Sequence, residues 1–151
     1  MDLRTLLPQL LPHAIAGAEF QAQHVASLGV PLPKGLVDVA LRVGVQHPEL
    51  IQAKLVYRLP LPEEPMLRQA AIETGLLGPN MVGLTLGHSI LIVSGHDTVP
   101  LVSHECRHVY QYETLGSIEK FLPLYLQQIV DFGYESASLE VDARAHEIQH
   151  P

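Results

Sequence analysis

The amino-acid sequence predicts a single, mainly helical α+β domain with a small β-sheet or hairpin beside one of its helices. Three observations predict it. The chain has 151 residues, of which 47% are apolar and 17% charged, which suits one globular core. Most segments repeat their apolar residues at helical spacing between proline and glycine breakers. One stretch, residues 81–93, leaves that period and is rich in β-branched and other apolar side chains.

The first helix is expected over residues 13–29, where Ile15, Ala18, Ala22, Val25 and Ala26 recur at helical spacing and Gly29 provides the stop. Upstream, Pro8 and Pro12 interrupt the apolar stretch, so the N-terminus reads poorly as a secretory signal. Beyond the breaker Pro31-Leu32-Pro33-Lys34-Gly35, a second helix is expected from about 36 to 44, and Pro48 opens a third near Glu49. The run Leu59-Pro60-Leu61-Pro62-Glu63-Glu64-Pro65 excludes a helix interior or central strand and reads as a stiff surface connector. A further helix over 65–74 closes at Gly75. Residues up to about 75 thus form a helical N-terminal part of the domain, and 80–149 hold the remaining elements.

Residues 81–93 read as one bent strand or a hairpin with its bend at Gly87. Gly95-His96-Asp97 supplies a turn, and Asp97 or Thr98 can cap the helix expected over 99–115, which stops at Gly116. Ser117 starts the next helix, whose Phe121, Leu122, Leu124, Tyr125, Ile129 and Val130 form a broad buried stripe ending at Gly133, with Pro123 in its first turn or at a kink. A last helix, over about 137–149, contains Leu139-Glu140-Val141-Asp142-Ala143-Arg144-Ala145.

Composition excludes several function classes. The net charge is −7, and the nine Lys and Arg residues are scattered, which argues against a nucleic-acid partner and against acidic polymers as substrates. Cys106 is the lone cysteine, so no intrachain disulfide can form; it reads as a small buried hydrophobe. No apolar run approaches the roughly 18 residues of a spanning helix. The expectation is a soluble, cytoplasmic protein without a membrane partner.

The chemistry is concentrated in His104-Glu105-Cys106-Arg107-His108, which has the pattern H-E-x-x-H. Residues four apart share a helix face, so both imidazoles can grip one cation from adjacent turns. Glu105, rotated by about 100° from His104, is better placed to take a proton from a water than to be a ligand. Catalytic zinc takes three protein ligands. The metzincin pattern would place a histidine where Thr114 stands, so the third ligand must come from elsewhere. Glu140, on a separate helix that an antiparallel return brings back, is the first choice; Glu135, Asp142, His146, Glu147 and His150 compete with it on spacing alone. His13, His24, His47, His88 and His96 have no partner at ligand spacing, although His88 or His96 could line a cleft.

The run from His104 through Val109-Tyr110-Gln111-Tyr112-Glu113, then Leu115-Gly116, Tyr134 and Leu139 to Arg144, resembles the minimal gluzincin-type zinc metallopeptidases of bacteria. The resemblance covers about residues 80 to 147. It implies a zincin-like fold, Zn²⁺ as cofactor, Glu140 as third metal ligand with His104 and His108, Glu105 as general base, and a peptide or protein substrate. It also implies that an edge strand within 85–92 pairs with an extended peptide. In larger gluzincins an aspartate four residues past the ligand glutamate orients a ligating histidine; here that position is Arg144, and Asp142 is the substitute. Tyr112, Tyr134 and Arg144 are candidates for stabilising an oxyanion, with Tyr112 and Tyr134 preferred as catalytic residues. The rival reading is a zinc-stabilised interaction module without hydrolysis, since a domain this small has little material for the walls of a cleft.

Overall fold

The computed structural model describes residues 2–150. Among them the chain runs α1 (Leu3–Leu28), β1 (Val30–Pro31), α2 (Lys34–Arg42), a 3₁₀ turn (Pro48–Leu50), β2 (Gln52–Val56), α3 (Pro65–Glu73), β3 (Gly83–Leu86), β4 (Ser89–Val93), α4 (Val99–Leu115), α5 (Ile118–Phe132) and α6 (Ser138–Ala145). This is the expected α+β domain. The strands form one sheet in the order β1-β2-β4-β3, in which β2 and β4 are parallel and the other two pairs antiparallel.

Residues 81–93 form a tight hairpin, and Gly87 takes the turn at φ 68°, a conformation that favours glycine. The two halves of the hairpin differ in position. β3 is an edge strand, whereas β4 lies between β3 and β2, so only the first half of the expected edge segment 85–92 is free to pair. Burial follows the alternation of β4. Ile90 and Ile92 pack with Val102, Cys106 and Val109 of α4, while Leu91 packs with Val25 of α1. The sheet is therefore covered by α4 on one face and α1 on the other. Burying a side chain such as Ile90, which is fully enclosed, is worth roughly 1.5–3 kcal/mol.

Four expectations change. α1 begins ten residues earlier than residue 13, with Pro8 and Pro12 inside it. Neither proline donates a backbone hydrogen bond, but Asp2 caps the first turn by accepting from Arg4 N and Thr5 N, Leu7 and Leu10 are buried, and the helix packs along α5. The third helix near Glu49 is one 3₁₀ turn, and a strand, β2, follows it. Within α5, Leu124 faces outward at 43% exposed and leaves the buried stripe, while Phe121, Leu122, Tyr125 and Ile129 stay in it. α6 ends at Ala145 rather than near 149.

α4 has the expected bounds. The Thr98 hydroxyl accepts from Leu101 N at its start, and Gly116, at φ 107°, donates its N–H to Tyr112 O at its end. It contacts α2, β3, α5 and α6, and its buried residues run from Val102 through Cys106 and on to Tyr112. A helix enclosed on so many sides can hold polar side chains in an interior site, and it does.

Candidate metal centre

Four elements build the site: α4 contributes His104, Glu105 and His108, α5 contributes Tyr125, α6 contributes Glu140, and β3 contributes Thr85. Glu140 lies between the two imidazoles. Its Oε1 is 3.1 Å from His104 Nε2 and its Oε2 is 2.8 Å from His108 Nε2. All three side chains are buried, and their ligand atoms lie within 4.8 Å of one another. Tetrahedral ligands about 2.0–2.1 Å from an ion stand roughly 3.4 Å apart. Two imidazole nitrogens and one carboxylate oxygen at this spacing form a group that could hold a metal ion.

Hydrogen bonds behind the histidines aim these nitrogens. Glu147 Oε2 accepts from His104 Nδ1 at 2.9 Å, and Gln111 Oε1 accepts from His108 Nδ1 at 2.7 Å. With Nδ1 engaged behind each ring, each Nε2 faces Glu140 and donates to its carboxylate, and a metal ion would take the place of that proton. Gln111 is held in turn, since its Nε2 donates to Leu139 O and to Asp142 Oδ2, each at 2.9 Å. Asp142 is fixed by Arg107 Nε at 2.8 Å. Asp142 thus acts one step removed from the histidine, through Gln111, and Glu147 supplies the direct carboxylate contact.

Charge in the site favours a cation. Burial alone would lower the His104 pKa, but the Glu140 hydrogen bond and the charges of Glu105 and Glu140 outweigh it and raise it to about 9. Burial would likewise raise that of Glu140, yet hydrogen bonds from His104, His108 and Tyr125 hold it well below the carboxylate range. The Tyr125 hydroxyl donates to Glu140 Oε2 at 2.6 Å. Glu105 shifts the other way: burial raises its pKa against the opposing charges of His108 and His104. It stands outside the ligand group. Its Oε1 accepts from Thr85 Oγ1 at 2.9 Å, and the backbone of Gly83 lies alongside it.

The other competitors for third ligand have different employment. His146 Nδ1 bonds Asp142 O, and Glu135 and His150 are exposed. His88 pairs with Glu113 at 2.9 Å and His96 is exposed, so neither lines the cleft. Arg144 is exposed and donates to the Glu135 carbonyl, outside the cavity lining. Tyr112 and Tyr134 both line the cavity beside Glu105 and His108. Burial, with nearby Glu105 for Tyr112 and with Glu140 and Glu105 for Tyr134, pushes their phenols up, so both remain hydrogen-bond donors. Tyr112 also stacks on Phe121, with ring centroids 3.7 Å apart. Cys106 is fully buried in the apolar cluster, as expected.

The cavity has a volume of about 490 Å³ and opens onto Glu105, His108 and Glu140. Much of its wall comes from the half of the chain that carries no motif, namely α1, the proline-rich connector, α3 and the segment from Leu76 to Met81, and β3 and α5 complete it. The domain therefore does have material for a cleft, and the connector is part of it. No family model, curated protein or solved structure matches this chain. Its site is read from its own chemistry. Among the described residues, no helix is long and apolar enough to cross a membrane.

Sequence reasoning missed Tyr125, Gln111, Thr85 and Gly83. Tyr125 was hidden within an apolar stripe, and only its hydroxyl distinguishes it from the phenylalanine four positions earlier. Gln111 carried a weak signal, since it lies three residues past His108 and so one turn along the same helix. Thr85 and Gly83 had no signal, because their partner is 20 or more residues away.

Proposed function

We propose that this chain is a zinc-dependent metallopeptidase of gluzincin type, with His104, His108 and Glu140 as metal ligands and Glu105 as general base. One observation carries the reading. A buried carboxylate that is not part of the ligand group, Glu105, shares a cavity with that group and is held there by the Thr85 hydroxyl. A purely structural metal site has no use for it.

A bound Zn²⁺ would supply Lewis acidity, lowering the pKa of water and polarising a carbonyl. The protein's own groups do the rest. Glu105 accepts the proton of the attacking water as its oxygen bonds to the peptide carbonyl carbon. It then delivers that proton to the departing nitrogen as the C–N bond breaks, which gives a carboxylic acid and an amine. Thr85 steadies the carboxylate through one hydrogen bond. Tyr134 and Tyr112, kept protonated by their surroundings, donate toward the oxyanion. Tyr125 restrains Glu140. An extended peptide laid along the free edge of β3 would bond Gly83 to Leu86 while its carbonyl faces Glu105.

Replacing Glu105 by Gln tests this. The variant is expected to keep stoichiometric zinc by elemental analysis while peptide cleavage falls at least about 100-fold. Undiminished turnover would overturn the mechanism, and a wild-type protein that binds zinc but cleaves no peptide would instead be the interaction module.

A further inference from the structure

Residues 59–81 form a self-contained piece of the fold. They follow β2 and precede β3, and they comprise the proline-rich connector, α3 and the loop that leads to the hairpin. Every hydrogen bond they make among the described residues stays inside the piece. Glu64 caps α3 by accepting from Leu67 N, Arg68 Nη2 donates to Glu63 O, and Gln69 Nε2 donates to Glu73 Oε1. Thr74 Oγ1 donates to Ala70 O, Leu77 N to Ala71 O and Met81 N to Gly78 O. Among the described residues no ion pair ties the piece to the rest of the chain. Its prolines stiffen the first half, since each fixes its own φ and restrains the residue before it. The piece is thus braced to move as one body.

Its attachment to the rest is apolar and narrow. α3 leans chiefly on α1, Leu59 packs on the cluster of Val25, Leu86 and Leu91, and Leu76 packs on the cluster that contains Phe121, Leu122 and Tyr125. Hollows lie on two of its sides. Leu61, Leu67 and Ala71 line the cavity that holds Glu105, His108 and Glu140, while Thr74, Gly75 and Asn80 line a second, open hollow whose other wall runs from Phe132 to Ser136. Its ends are free to bend. Residues 57–62 take part in no backbone hydrogen bond among the described residues, and Tyr57 is 93% exposed. At the far end, Val93 N donates to Val82 O, and this bond is where the sheet resumes.

An element joined to its neighbours by few buried apolar contacts and no hydrogen bonds opens at a lower free energy than the core does. We infer that residues 59–81 are a lid, hinged at Tyr57-Arg58 and at Val82-Gly83, that swings away from α1 and α5 to admit a ligand to the cavity and closes over it to exclude water. The inference concerns access to the cavity and does not rest on the hydrolase reading.

Two measurements on the full chain test it. In the first, nitroxide labels at Gln69→Cys on the lid and Glu119→Cys on α5 report their separation by double electron–electron resonance. Both positions are exposed, and the buried Cys106 stays unlabelled. Two resolved distances are expected, against one for the body pair Glu19→Cys and Glu119→Cys. A single distance as narrow as that of the body pair overturns the lid.

In the second, fluorescein-5-maleimide is reacted with Leu122→Cys, a position buried at the cavity wall in the cluster that Leu76 packs on. The native Cys106, fully buried in the core, is the reference for global unfolding. The new thiol is expected to react at least about 10-fold faster than Cys106. Leu59→Ala, which loosens the lid at its other anchor, should raise that rate about 10-fold. Reaction as slow as that of Cys106 would mean that the cavity opens only when the protein unfolds, and a fast rate unchanged by Leu59→Ala would mean that nothing closes it; either result overturns the lid.

Discussion

Gly83 and Glu105 meet across the gap between β3 and α4, and at this contact a residue without a side chain decides where the carboxylate proposed as the base stands. A Cβ on Gly83 would lie 2.8 Å from Glu105 Oε2 and 2.9 Å from its carboxyl carbon, closer than real Cβ atoms approach. Thr85 holds the other carboxylate oxygen, so the side chain has little room to yield without losing that bond. Gly83→Ala is therefore expected to displace the Glu105 carboxylate and lower kcat by about 10- to 100-fold, because small misplacements of a catalytic group are costly. Zinc stoichiometry should hold, since none of the ligands is touched. Unchanged kcat in a folded, zinc-loaded Gly83→Ala protein would show that Glu105 has no fixed position to defend. At this scale His104, Glu105 and His108 were legible because helix geometry places them within a single turn. Gly83 and Thr85 were not, because a strand residue reveals its partner only once register and packing are set.

α6 and the residues after it act as a unit on the back of α4. Glu140 enters the ligand group, Asp142 locks Gln111 behind His108, and Glu147 bonds His104 Nδ1. Ile148 fastens the segment by donating its N–H to Ser103 Oγ at 2.8 Å and by packing against the cluster that contains Cys106. The shorter α6 matters here: by ending at Ala145, the chain can turn and bring Glu147 to His104. Glu147→Gln should weaken zinc binding by roughly 10- to 100-fold in a competition assay with a chelator, the usual cost of losing a carboxylate behind a ligating histidine. Unaltered affinity would mean that Glu147 serves only to close the surface. Sequence spacing left Glu140 and Glu147 as rivals for one role, and the packing of α6 gives them different ones.

Across the molecule, Glu113 joins three separate parts of the fold. Its carboxylate accepts from Gln46 N at 2.8 Å and His47 N at 3.0 Å, ahead of β2, and from His88 Nε2 at 2.9 Å in the hairpin turn. Burial would raise its pKa, but the two backbone N–H groups and His88 lower it. A carboxylate whose folded pKa is depressed stabilises the fold above its unfolded value of about 4.3, and that contribution is lost as pH falls through the folded value. Glu113→Gln should cost roughly 1–3 kcal/mol at pH 7 in denaturant unfolding, and the gap to the wild type should narrow below about pH 4. A gap independent of pH would mean that the charge on Glu113 plays no part.

The sequence by itself determined the α+β class, the bounds of α4, a β segment at 81–93 that bends at Gly87, and the two histidines of the candidate metal group. These are local properties, written in helical period, caps, breakers and short spacing. It did not reveal β2, since Gln52-Ala53-Lys54-Leu55-Val56 lacks the β-branched run of a strand and is one only because β4 offers it a parallel partner nearly 40 residues later. It did not reveal the full length of α1 either, where the prolines argued locally against a helix that long-range packing sustains. Only the tertiary structure decided that Glu140 stands between two imidazoles, that Tyr125 bonds Glu140 and Glu147 bonds His104, and that the N-terminal half supplies much of the wall of the cavity beside the site. Each of those facts is a contact between residues far apart in the chain. Such contacts depend on how elements pack against one another, and no window of sequence contains both partners.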